Sequence, residues 1–67
     1  MSEEYILRYT DLAAIIQMAK ARGWSSMRIV RAMSWGLTQA DALKLARRAA
    51  PLLDITVFEF MRLRKNE

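Results

Sequence analysis

Apolar residues along this chain recur at intervals of three and four, the spacing of one face of a helix. Leu12, Ile15, Ile16 and Ala19 fall at i, i+3, i+4 and i+7 and line one side of a first helix beginning near Thr10. Thr10 can cap it, Asp11 suits its positive end, and Gly23 ends it after Lys20 and Arg22. A second helix begins after Ser25. Trp24 stands where it could pack on Ile29 as a hydrophobic staple. Met27, Val30 and Met33 share one face with Ile29 beside it, and Arg28 and Arg31 share another. Gly36 interrupts the pattern after Ser34 and Trp35, and a left-handed turn is the natural use of a glycine there.

Thr38 then caps a third helix, with Asp41 three residues on. Its apolar stripe is Ala42, Leu45, Ala46 and Ala49, small enough for close helix packing, while Lys44, Arg47 and Arg48 face elsewhere. Pro51 marks the end of this helix or the start of the next element. The segment "DITVFEFMRLR" reads as a fourth helix capped by Asp54, with Ile55, Phe58 and Met61 aligned. Its Ile, Thr, Val and Phe also suit a strand. Helix is the preferred reading there, and residues 1–8 read as extended or irregular, because Tyr5, Leu7 and Tyr9 alternate. If both ends were strands, they could pair beside the helices. The expected fold is therefore all-α: a compact bundle of three to four short helices in one domain spanning 1–67, with its core in 10–51.

A chain of 67 residues buries only about 60% of its unfolded surface. Such a core supplies about 3–5 kcal/mol, so a second copy or another partner is expected to add support. There is no cysteine and no histidine. That removes disulfides, thiol chemistry, the commonest metal ligand and the usual neutral-pH base. Neither a metal site nor a cofactor is expected. The carboxylates form no spaced acid/base pair, and there is no phosphate-binding glycine loop, so no catalytic residue is assigned and the chain is not read as an enzyme. No run of about 20 apolar residues could span a membrane, and the acidic start is unlike a signal peptide, so a cytoplasmic protein is expected.

Charge is unevenly spread. Residues 1–19 carry −2, residues 49–67 carry zero, and residues 20–48 carry +6 of the net +4. The basic middle coincides with the second and third helices, and a polyanion is the partner it suits.

From Arg28 to Arg47 the chain resembles the helix-turn-helix of small phage Cro-type and repressor-type regulators. Ala32 stands at that pattern's small-residue position and Gly36 at its turn glycine. Trp35 and Leu37 flank the glycine, and Leu45 takes the last apolar position. Arg31, Ala42 and Leu43 depart from the pattern. The resemblance implies a DNA-binding transcriptional regulator whose third helix enters the major groove of double-stranded DNA N-terminus first. It implies phosphate contacts from Arg28, Arg31, Thr38 and Arg47, a base contact from Gln39, and either kind from Lys44. A homodimer is expected, with Phe58, Phe60, Met61 and Leu63 as its contact; core packing against the first helix is the other reading of these four residues, and the preferred one for at least Phe58. The stretch "GWSSMRIVRAM" is also similar to compact three-helix ubiquitin-associated-type domains. That likeness implies a protein-binding module or inhibitor docking through Trp24, Met27 and Trp35.

Overall fold

The computed structural model describes residues 11–65. Four helices follow in order: α1 (Leu12–Ala21), α2 (Ser26–Ser34), α3 (Gln39–Leu53) and α4 (Val57–Lys65). The described residues contain no strand, as an all-α bundle requires. The extended reading of residues 1–8 and the cap assigned to Thr10 lie outside the described residues.

Local chemistry sets most of the helix ends. Ser25 accepts the Arg28 N–H at 3.2 Å, and Thr38 accepts the Asp41 N–H at 3.2 Å, so both hydroxyls cap the helices they precede. Gly23 and Gly36 follow α1 and α2 with φ of +84° and +79°. Nothing lies within 4 Å of where a Cβ would stand at Gly36, so the requirement there is purely conformational.

Two boundaries differ from the sequence reading. The third helix does not stop at Pro51 but runs on to Leu53. Pro51 faces solvent, and the turn beyond it is closed by other donors: Asp54 N–H reaches Pro51 O at 3.1 Å and Ile55 N–H reaches Ala50 O at 3.0 Å. Asp54 ends α3 in the left-handed conformation (φ 62°) and does not cap α4. Thr56 does, accepting the Glu59 N–H at 3.0 Å. Glu59 in turn accepts two hydrogen bonds from Arg62, at 3.0 and 2.6 Å. These bonds are the main reason its carboxyl is held below the usual glutamate range; slight desolvation opposes them and the Arg62 charge adds to them.

Helix α3 is the centre of the bundle and touches all three other helices, while α4 also lies against α2. The buried side of α3 is Ala42, Ala46, Ala49, Ala50 and Leu53. Ile16 comes to it from α1, Ile29 and Val30 from α2, and Phe60 and Leu63 from α4. Leu12, Ala19, Met27, Met33 and Leu45 pack around this cluster as expected, but Ile15 leans outward at 39% exposure.

The face of α4 is the clearest correction. Phe60 is fully buried and Leu63 nearly so, whereas Phe58 is 77% exposed. Phe58 therefore does not pack against α1. Phe60 and Leu63 are core residues and cannot form a contact with a second copy. Of the expected dimer cluster only Phe58 and the half-buried Met61 remain available. The reason is the 100° step of a helix: Phe58 and Phe60 stand about 200° apart, so burying one exposes the other.

Two outcomes follow from this packing. Phe60→Ala should cost about 3–5 kcal/mol in urea unfolding, enough to unfold so small a domain, while Phe58→Ala changes stability by no more than about 0.5 kcal/mol. Equal losses would contradict the assigned faces. Gly36→Ala, placed at positive φ, should lower stability by about 1 kcal/mol, and an unshifted thermal melt would refute the turn geometry.

Candidate nucleic-acid interface and an aromatic groove

Solvent-facing positions of α3 carry the basic side chains. Ala40, Lys44, Arg47 and Pro51 follow one another at steps of four, three and four, all exposed, with Arg48 exposed beside them. The one acid on this helix, Asp41, lies in its first turn, where it suits the helix dipole. Thr38 and Gln39 are exposed at the leading end. Gln39 lies on the same side of the helix as Ala46 and Ala50, so it is displaced from the Lys44–Arg47 stripe. It escapes burial because it is the first residue of α3. Thus Lys44 and Arg47 share a surface, and Gln39 stands at its tip rather than within it.

The arginines of α2 have separate surroundings. Arg28 is exposed and lies over the Trp24 ring, 3.9 Å from its centroid. Arg31 is turned toward α4. Its Nε donates to Leu63 O at 3.4 Å, and its buried Nη2 has no hydrogen-bond partner among the described residues. From the other side, Arg64 Nη2 donates to Leu37 O at 2.7 Å, in the turn between α2 and α3. These two arginines tie the end of α4 to α2 and to the turn, which neutral side chains of that length could not do as strongly. Arg31 is thereby a fold contact more than an open phosphate contact. Sequence spacing missed this role of Arg31 and Arg64, because their partners are carbonyls 32 and 27 residues away.

The helix-turn-helix resemblance meets the structure unevenly. Its turn is present: α2, a bend at Gly36, a Thr38 cap, then α3. Ala42 is buried and Leu45 half-buried, on the inner side of α3. Ala32 and Trp35 are exposed, however, and the residues that face α2 inward are Ile29, Val30, Met33 and Ser34. The inner face of α2 therefore lies about two residues earlier than the resemblance implies. Ser34, not Ala32, is the small buried residue, with its hydroxyl donating to Val30 O at 2.7 Å.

Turning α2 this way gathers a second feature. Trp24, Met27, Arg28, Arg31, Ala32 and Trp35 line one open groove of about 580 Å³. Trp24 is half-buried and packs on the core, while Trp35 is 87% exposed. The three residues singled out for a protein-docking surface, Trp24, Met27 and Trp35, are thus brought together. Among the described residues, no carboxylate lines this groove.

Among the described residues, no group of three or more His, Cys, Asp or Glu could hold a metal ion. No described helix is long and apolar enough to cross a membrane. Comparison of the chain with protein-family models, with curated proteins and with solved structures finds no match.

The division between the α2 arginines is open to measurement. Arg31→Ala should cost about 1.5 kcal/mol or more in urea unfolding, through loss of its charged hydrogen bond and its packing. Arg28→Ala should cost at most about 1 kcal/mol, the scale of an exposed cation–π contact. The reverse order would overturn the assignment.

Proposed function

We propose that this chain binds duplex DNA through the solvent face of α3, as a small transcriptional regulator. The observation that carries the reading is the stripe of Lys44 and Arg47, with Arg48 beside it, opposite the alanine face that anchors α3 to the rest of the bundle. A helix held in this way offers its basic side to a partner without disturbing the core. Its leading end is suited to approach: Thr38 is exposed, Gln39 follows it, and the N-terminal backbone favours anions. In this reading Lys44 and Arg47 meet phosphates, and Gln39 reaches a base edge with its paired donor and acceptor. Arg28 adds a phosphate contact from α2, whereas Arg31 serves the fold. Pairing of two copies would double these contacts, and Phe58 is the one large exposed apolar residue on α4 to support it.

A second reading, a protein-docking module, is favoured by one specific observation: the groove that joins Trp24, Met27 and Trp35. Apart from Arg28 it concerns a different set of side chains, so both surfaces can belong to one molecule.

A fluorescence titration with random duplex DNA at several salt concentrations tests the DNA reading. The expected result is binding that weakens as salt rises. Lys44→Gln and Arg47→Gln should each weaken binding to all sequences and reduce the salt slope by about 1. Gln39→Ala should cost about 1–3 kcal/mol on a selected site and little on random duplex. A wild-type chain that fails to bind duplex at low salt would end this reading.

A further inference from the structure

The groove on α2 combines features that define what it would take. Trp35 offers a nearly bare indole, and Ala32 keeps the floor low between Arg28 and Trp35. Arg28 and Arg31 make the lining positive, and among the described residues no carboxylate balances them there. Arg31 also keeps a buried guanidinium nitrogen without a partner among the described residues, an arrangement that a nearby carboxylate would relieve. The groove therefore fits a peptide whose acidic residues stand directly beside bulky apolar ones.

We propose that its occupant is the chain's own segment "EEYILRY", Glu3 to Tyr9. Two carboxylates are followed there at once by Tyr5, Ile6 and Leu7, with Tyr9 two residues further on. Residues 1–19 are the acidic part of the chain and the groove belongs to its basic part, so the charges are complementary. Reach is sufficient. Trp24 follows the far end of α1 from Asp11, and a helix of ten residues is roughly 15 Å long. Six residues of extended chain, from Asp11 back to Tyr5, span up to about 20 Å. Tyr5 then meets the indoles, and Glu3 and Glu4 meet Arg28 and Arg31. The assignment shares only Arg28 with the DNA reading and uses none of the α3 side chains, so the segment variants test it separately from duplex binding.

The chain contains no cysteine, so Ser2→Cys gives one site for a nitroxide label on the full-length protein. The indole N–H signals of Trp24 and Trp35 are then recorded by NMR with the label oxidised and reduced, without DNA. The expected result is strong loss of both signals with the oxidised label. Glu3→Lys/Glu4→Lys/Tyr5→Ser in the same labelled chain should restore them, with the helical circular dichroism unchanged. Arg28→Glu should restore them as well, from the groove side. Equal signal loss in the wild type and in these variants would overturn the proposal. So would loss seen only when isotope-labelled chains without nitroxide are mixed with nitroxide-bearing ones, because the segment would then act between copies. A failed result here leaves duplex binding unaffected, and a failed duplex titration leaves this measurement unaffected.

Discussion

The bundle depends on the row of small side chains along α3. Ala42, Ala46, Ala49 and Ala50 are all buried, and they let three other helices approach one central backbone. A larger residue at any of these positions would push a neighbouring helix outward, and overpacking of a tight interior is itself costly. The consequence for energetics is that the alanines supply proximity and little apolar area. The stabilising burial comes from the side chains that proximity admits: Ile16, Val30 and Phe60 are the largest of those fully covered. Each comes from a different helix. The fold is thus a consensus of three insertions on one flat face, and losing one of them removes a large part of a small total.

That same arrangement decides what the basic residues can do. Because one side of α3 is committed to the core, its charged side is held outward and in fixed register. Lys44 and Arg47 are presented by a rigid element, not by a loop. On α2 the result is different. Its inner face meets α3 and α4, and Arg31 is drawn into the seam, where it bonds the Leu63 carbonyl. Arg64 makes the reciprocal tie to Leu37. Together they lock the turn before α3, so the turn on which the proposed DNA approach depends is held by contacts from the chain's far end. Drawing an arginine part-way into that seam is helped by its Nε bond to the Leu63 carbonyl, although its Nη2 is left without a partner among the described residues.

The orientation of α2 also explains why the two functional readings share no residue but Arg28. Rotating its inner face to Ile29, Val30 and Ser34 leaves Arg28, Ala32 and Trp35 on the outside. Trp35, 87% exposed, leaves its indole open along the groove. Its neighbours Trp24 and Arg28 are already stacked, which gives the groove a preformed wall at little conformational cost to an incoming segment. The α3 stripe and the α2 groove differ in the same sense as their partners would: one is charge with little apolar area, the other is apolar area edged by charge.

The sequence by itself determined the elements. The first three helices, the Ser25 and Thr38 caps, the left-handed Gly36 and the alanine face of α3 all follow from interactions within a few residues, and short-range interactions are written in short stretches of sequence. It also marked the basic middle of the chain and the residues Lys44 and Arg47. What only the tertiary structure decided is direction. Asp54 was the expected cap of α4, but it closes the end of α3 and Thr56 caps α4 instead. Phe58 and Phe60 were both plausible anchors, and helix α4 could bury only one of two side chains about 200° apart. Arg31 looked like a surface cation until Leu63 was brought beside it from the far end of the chain. For the phenylalanines and Arg31 the deciding partner lies on a neighbouring helix, and no local pattern of apolar and polar residues contains that partner's position.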